Sequence, residues 1–369
     1  MKRIIYPFFI VITIVTAIIY LISCLTPFIG ADVWLIMGFL GLGFPILLFC
    51  SISLFVIWLF INRKIAFLIF VCILLGYKNI HAIIGIHPNQ SFSAKKQPGT
   101  IRILGYNVRD FDGQPNPFDT VGIYRHQIIN YIAAQDADII CMQDFAELHN
   151  SLLASNIAFF RDSIHYQYYF IGDNYSTITP WNLSQVGVAI FSKYPLKNIQ
   201  FVKYSGKKLP EGILTADVTI NRVTRRIITT HLQSMWLGNK EKIIPAWDHS
   251  EDSLVNYRGS KLYKISHYLP YHAMQAKELK AEINKSPYPV IVSLDMNEVP
   301  SSYCYHTISN GLNDVFLEKG FGLGKTYYHI SPTLRIDYLF TSSSIELQQY
   351  KCDRIFMSDH YPQVIDVKW

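Results

Sequence analysis

The sequence predicts an α/β (α+β) domain set behind a run of N-terminal transmembrane helices, and two observations carry that expectation. Up to about residue 86 the chain is almost wholly apolar, in stretches long enough to cross hydrocarbon. From Ile101 onward it changes to short apolar strands broken by turns, with two or three helical stretches among them. The composition agrees, since half of the 369 residues are hydrophobic and only 16% are charged, well below the roughly 25% of an average soluble domain.

The apolar region divides into residues 4–22, 33–61 and 65–86, about three transmembrane helices. The first is read as a retained anchor rather than a cleaved signal, because no small-residue cleavage site is obvious and a second span follows at once. The second is long for one span and is softened by Gly38, Gly41, Gly43 and Pro45, so tilt or a kink can absorb the excess. The third carries Lys78, Asn79 and His81 and is the weakest of the set. Lys2, Arg3, Arg63 and Lys64 favour the cytoplasm, whereas the loop over residues 26–32 has no base. Three spans then give a multi-pass protein of a bacterial-type inner (cytoplasmic) membrane, with everything after His87 on the periplasmic, extracytoplasmic side. If residues 65–86 only lie on the surface, the domain is cytoplasmic instead. Paired intramembrane charges and repeats are absent, which argues against a channel or transporter.

Residues 87–100 (HPNQSFSAKKQPGT) read as a polar linker, which leaves 1–86 as membrane anchor and 101–369 as the folded domain. Asp32 is the one acid before Lys95, against five bases, so the excess positive charge belongs to the membrane region and the domain is near neutral. Tight non-specific binding along duplex nucleic acid, which draws on many Lys and Arg contacts, is disfavoured. The cysteines show neither C-x-x-C nor zinc spacing. Cys304 and Cys352 could pair in an oxidising compartment, but unpaired buried thiols are the plainer expectation.

Within the domain, residues 101–107 form a strand ending in polar residues. Residues 124–134 have helical spacing, with Ile128, Ile129 and Ile132 on one side. Residues 138–143 are a buried strand, and 186–192, 214–220 and 225–231 are further strands. An amphipathic helix over 272–284 precedes a buried strand at 289–294, and strands at 335–340, 345–351 and 363–368 close the set. Roughly 270 residues of this kind suffice for a full core.

Polar residues repeatedly cap these strands: Asn107, Gln143 with Asp144, His231, Asp295 with Asn297, Asp337, and Ser358-Asp359-His360. Alone, each has a bland reading. Asn107 suits a turn, Gln143-Asp144 a solvated or capping pair, His231 a structural histidine, and Asp337 an ion pair with Arg335. Taken together, in this order, they resemble the endonuclease/exonuclease/phosphatase superfamily from about Ile101 to the end. The resemblance includes the strand and turn Gly187-Val-Ala-Ile-Phe-Ser-Lys-Tyr-Pro195. It implies a four-layer sandwich with two central mixed β-sheets flanked by helices, and a phosphodiesterase- or endonuclease-like hydrolase dependent on Mg²⁺ or Mn²⁺.

The chemistry is consistent with that resemblance. A divalent cation neutralises the charge that makes phosphodiesters resist attack, and Mg²⁺ needs only one or two carboxylates beside substrate and water. Asp144 is the first such ligand, with Asn107 beside it. The family usually has glutamate there, so the shorter side chain bears on metal affinity or preference, and Glu147 is an alternative carboxylate. By the resemblance, His360 deprotonates or aligns the attacking water, and Asp337 holds its ring. Asp295 polarises or orients the nucleophile, and Asn297 donates to the phosphoryl oxygen. Asp359 serves a second metal or water contact, and His231 contacts phosphate or protonates the leaving oxygen.

The substrate is less legible. Residues 300–303 and 320–327 read as loops near the Asp295 rim, where Lys325 can meet a phosphate or simply lie on the surface. The aromatic run 166–175 and Trp181-Asn182 can stack on a base or sugar, with Asn182 a phosphate ligand, although most of these rings suit a core better. Residues 236–257 suit a long lid or membrane-facing loop. The expected partners are the membrane and a phosphate-ester substrate (nucleic acid, nucleotide or lipid head group), and no obligate protein partner is evident. Two enzyme readings compete, a nuclease or nucleotide phosphodiesterase acting outside the cytoplasm and a phospholipid or inositol-phosphate head-group hydrolase. A catalytically idle, membrane-tethered binding module is the non-enzyme alternative.

Overall fold

The computed structural model describes residues 2–88, 91–112, 123–148, 155–179, 182–205, 211–235, 260–329 and 334–369. It begins with helices α1 (Lys2–Ser23), α2 (Leu35–Ile61), α3 (Arg63–Leu75) and α4 (Tyr77–Ile83). Two of these, α1 from Tyr6 and all of α2, are long and apolar enough to cross a membrane. Their outward faces remain apolar, with Phe49 70% and Phe60 87% exposed. The third predicted segment differs from a straight span, because α3 and α4 meet at a 65° bend. At the bend Gly76 is pressed against the Tyr20 hydroxyl, which donates to Ile73 O at 3.0 Å, and a Cβ would have no room. Alone, α3 reaches only about 20 Å, short of the ~30 Å of hydrocarbon.

The helices run antiparallel. Trp58 near the end of α2 donates to Thr13 at 2.8 Å and packs with Phe9 of α1 and Ala66 of α3. At the other end Tyr20 of α1 packs with Phe44 of α2 and Ile73 of α3. The basic starts of α1 and α3 therefore share one end, and the loop between α1 and α2 shares the other.

After the two-residue strand β1 (Gly85–Ile86), the domain builds two six-stranded sheets. The first is formed by β2 (Thr100–Asn107), β3 (Ile139–Leu148), β4 (Tyr168–Thr179) and β5 (Asn182–Ser192), with β13 (Leu347–Cys352) and β14 (Gln363–Lys368) joining from the C-terminus, in the order β13-β14-β2-β3-β5-β4. The second comprises β6 (Leu196–Lys203), β7 (Gly212–Ile220), β8 (Val223–His231), β9 (Val290–Asp295), β10 (Leu312–Asp314) and β12 (Asp337–Ser342), in the order β10-β12-β9-β8-β7-β6. A short β11 (Phe321–Gly322) pairs with β1. In both sheets one parallel pair, β2 with β3 and β8 with β9, sits among antiparallel neighbours.

Strand alternation explains the layering, because successive side chains point to opposite faces. Ile103, Ile139 and Val188 of the first sheet meet Leu214, Ile227 and Ile291 of the second in one buried cluster. Their neighbours Leu104 and Ile140 face outward onto Ile128, Ile129 and Ile132 of α5 (Ile123–Gln135). On the far side Ile228 and Val292 pack on Leu279 and Ile283 of α6 (Lys261–Asn284) and Ile308 of α7 (Tyr303–Ser309). The result is the expected four layers, helix–sheet–sheet–helix. All six cysteines are free, with Cys304 in the helix-facing core and Cys352 beside the inter-sheet core.

The helical region rests on this domain through polar contacts. Thr26 donates to Ser301 O at 2.8 Å, and Ser301 donates to Gly41 O at 2.8 Å. Asp32 pairs with Lys277 at 2.6 Å, and Arg335 donates to Ala82 O at 2.5 Å. Residues 87–100 do not hang free where they are described: His87 N donates to Gly320 O at 3.0 Å, and Ser93 N donates to Gln349 at 2.9 Å.

Candidate active site

The site follows from strand register. Asn107 and Gln143 are neighbours on β2 and β3. On the second sheet His231, Asp295 and Asp337 stand abreast on β8, β9 and β12. The facing edges are locked behind the site by Gln143, which donates across the core to Thr229 at 2.9 Å. They also come very close: a Cβ on Gly105 would lie 2.5 Å from Ser293 Oγ, so glycine is required there.

His360, in the loop before β14, is brought in by its neighbours. Ser358 Oγ donates to Asn107 O at 2.9 Å and accepts from His360 N at 3.2 Å. His360 Nδ1 lies 2.9 Å from both Asp337 oxygens, which fixes the ring and leaves Nε2 for the cleft, 3.5 Å from Asp295 Oδ2. Arg335 is not the partner of Asp337. It turns away to Asp314 at 2.6 Å, and the plain ion-pair reading of Asp337 falls. Asp295 Oδ1 accepts from Asn297 N, and its Oδ2 from Asn107 Nδ2, both at 2.9 Å. His231 Nε2 lies 3.3 Å from Asp295 and 3.0 Å from the Asn297 amide. Asp144 and Asn297 both hold positive φ, 48° and 53°, a conformation Asp and Asn tolerate better than most residues.

Charge is finely set here. Burial alone would lower the His360 pKa, but Asp337 and Asp295 raise it to about 10. Burial would raise Asp295, yet His360 and His231 pull it down to about 2. His231 is likewise raised well above its ordinary value against burial, by Asp144, Glu211 and Asp295. The cleft thus favours the ionised form of Asp295 and the protonated forms of His360 and His231, each by the opposite charge beside it.

The oxygen rim fits a hard divalent cation. Asp144 is one-third exposed and adjoins Asn107, whose amide lies 3.3 Å away, so its carboxylate has capacity to spare. Asp295, Asp337 and His360 also bring ligand atoms within 4.8 Å of one another. Those atoms, however, are already engaged with Asn107, Asn297 and each other, which makes the Asp144 rim the better seat. Asp359 borders the cleft, 3.9 Å from His360 Nε2, and its other oxygen is 3.5 Å from Arg109.

Not every predicted residue converges. Lys325 donates to Tyr328 O at 2.9 Å, and no contact joins it to the cluster among the described residues. Glu147 is buried and accepts from Ile157 N at 2.8 Å, a structural role. Asn182 begins β5, but its side chain lies outside the described residues, as do 236–257 entirely. Conversely, three neighbours of the site went unread in the sequence. Glu211, at the foot of β7, lies 3.5 Å from His231 Nδ1. Thr326 accepts from Asp337 N at 3.0 Å, and the Tyr327 ring meets that of His360 edge-on at 4.9 Å. Thr326 and Tyr327 sit in the glycine-rich loop already picked out near the rim, but Glu211 had no local signal.

The model of the Endonuclease/Exonuclease/phosphatase family matches residues 104–360, and a domain of unknown function (DUF8431) matches residues 5–83. No curated protein matches the chain. Among solved structures, an endonuclease/exonuclease/phosphatase of Beutenbergia cavernae is similar at 17% identity and a TM-score of 0.51, over 73% of this chain and 71% of that one. The human nocturnin catalytic domain with bound sulfate is 16% identical over 73% of this chain and 93% of its own, with a TM-score of 0.47. A mannosyl-6-phosphatase of Bacteroides thetaiotaomicron is 14% identical over 73% and 100%, with a TM-score of 0.46. With a match spanning β2 to the His360 loop, the chain belongs to the endonuclease/exonuclease/phosphatase family, whose members are hydrolases acting on phosphate esters.

Proposed function

We propose that this protein is a membrane-anchored, divalent-metal-dependent phosphoesterase that cleaves phosphate esters, diesters foremost, by attack of water. The observation that carries the reading is the buried Asp337–His360–Asp295 array, with Nδ1 of His360 held at 2.9 Å and its Nε2 turned to the cleft beside the Asp144 rim. Asp144 and Asn107, with Asp359 nearby, would hold the cation, which supplies charge neutralisation at the phosphoryl and leaving oxygens when bound. Asp295, ionised and fixed by two donors, orients the attacking water and receives its proton as the bond to phosphorus forms. His360 donates from Nε2 to a phosphoryl oxygen, and Asp337 keeps its ring in that pose. This differs from the role expected from the sequence, because the carboxylates of Asp337 and Asp295 favour the protonated, donating form of His360. Asn297 and His231, 3.0 Å apart, provide the remaining donors for phosphate and for the departing oxygen.

Hydrolysis of bis(p-nitrophenyl) phosphate by the full chain in detergent tests the reading. Turnover with Mg²⁺ or Mn²⁺ that disappears in EDTA and in Asp295→Ala is expected. A folded, metal-supplied chain inert toward this diester, plasmid DNA and phospholipid vesicles alike would leave the binding-module alternative.

A further inference from the structure

Away from the catalytic cleft, a cavity of about 520 Å³ opens where the N-terminal helices meet the domain. It is lined by Phe28 from the α1–α2 loop, Lys78 of α4, Lys280 of α6, and His306, Ser309 and Asn310 at the end of α7. Among the described residues two lysines line it and no carboxylate does, so the cavity suits an anion. Lys78 lies over the Phe28 ring at 4.5 Å, and the Lys280 ammonium is steadied by Asn310 O. No residue of this lining belongs to the catalytic cluster.

The position of the cavity selects the anion. Antiparallel packing puts the C-terminal ends of α1 and α3 and the start of α2 on the domain side, so the cavity sits at the depth where the helices leave hydrocarbon. Phe28 is 61% exposed at its edge, and Tyr77, next to Lys78, is 65% exposed. Aromatic and basic side chains side by side suit the head-group layer. There, lipid phosphate is far more concentrated than any free anion.

Resting on the membrane-anchored reading above, we propose that this cavity is a head-group site that holds the phosphate of an anionic membrane phospholipid between Lys78 and Lys280. The bound lipid clamps the α1–α2 loop, α4, α6 and α7 together and so fixes the domain against the bilayer. It is a second phosphate site, structural in role and separate from the one where esters are cleaved.

The test uses the full chain in nanodiscs of phosphatidylcholine alone, or of phosphatidylcholine and phosphatidylglycerol in equal parts. Thermal unfolding and retained lipid, by native mass spectrometry, are read for the wild type, Lys78→Ala/Lys280→Ala and Lys78→Arg/Lys280→Arg. Phosphatidylglycerol should raise the wild-type Tm and remain bound. The double alanine variant should lose that rise and retain about tenfold less lipid or lower still, and the arginine pair should restore both. An inserted chain whose response is the same in wild type and alanine variant overturns the site alone. Inorganic phosphate that raises Tm in phosphatidylcholine discs as much as phosphatidylglycerol does overturns the lipid assignment. A chain that neither enters discs nor floats with vesicles overturns the membrane reading and the site with it.

Discussion

At the scale of single residues, the proposed mechanism separates groups that handle protons from groups that handle metal, and substitution should divide them. His360→Ala removes the donor that Asp337 positions, and Asp295→Ala removes the ionised partner of the water. Each should lower turnover by roughly 10²–10⁴-fold, because a positioned acid–base group is typically worth that much, and added metal should restore neither. Asp144→Ala should behave differently. Its carboxylate is one-third exposed and, among the described residues, touches the rest of the cluster through Asn107 and His231, so its loss should weaken cation binding more than it disturbs the core. A metal titration should show the half-maximal concentration moving up at least tenfold, with much of the turnover recovered at high Mg²⁺ or Mn²⁺. Loss that no metal concentration repairs would place Asp144 among the proton-handling groups and move the cation elsewhere.

At the scale of elements, the two sheets must approach closely for their strand ends to share one cleft. Gly105→Ala tests that closeness, since the new methyl would meet Ser293 Oγ at 2.5 Å and Leu339 at 3.2 Å. Overpacking of this kind typically costs about 1–3 kcal/mol, so a Tm lowered by several degrees is expected, with turnover reduced as Asn107 is pushed from Asp295. This scale also explains what could be read in advance. Buried strands such as β2, β3 and β9 announce themselves as continuous apolar runs, and the polar residues at their ends fall where register lines them up. The edge strands do not: β6 is mostly exposed and carries Lys197 and Lys203, and β4 turns Tyr168 and Phe170 partly to solvent. The aromatic run that suggested base stacking is largely that edge strand, with Tyr166 buried just before it. Helix α6 starts at Lys261, eleven residues before the expected 272, because Pro270 inside it reads as a stop in one dimension yet is accommodated in three. The clustering of these polar residues was legible because it is tied to strand ends. The Glu211–His231 approach was not, since it depends on which strand lies next to β8.

At the scale of the whole molecule, the join between helices and domain should be sensitive to acid, and His306 is the reason. It lies beside the anion cavity, where its Nε2 is 2.9 Å from Asn79 Oδ1 of α4, and Lys78 and Lys280 line the same space. Burial first, and Lys78 second, depress its pKa from 6.5 to about 4. In the unfolded chain the imidazole takes a proton below about pH 6.5, whereas in the fold it resists until about pH 4. Between those values the unfolded state binds more protons, so stability rises with pH across the window and is lost as pH falls through it. The full shift corresponds to roughly 3 kcal/mol, reduced to about 2 kcal/mol for a side chain that is partly exposed. Asp295 loses its contribution only much lower, toward its pKa of about 2, whereas Asp337, raised to about 6 by burial, takes up its proton within the window and opposes the loss, so the difference from a His306 variant isolates this histidine. Unfolding in a zwitterionic detergent should therefore show a drop in stability between pH 6.5 and 4 that is about 2 kcal/mol smaller in His306→Gln, whose amide can still donate to Asn79. Equal losses in both proteins would mean that His306 accepts its proton without disturbing the join, and that α4 is held to the domain chiefly by Arg335 donating to Ala82 O and through Thr26, which accepts from Asn79 Nδ2 and donates to Ser301 O.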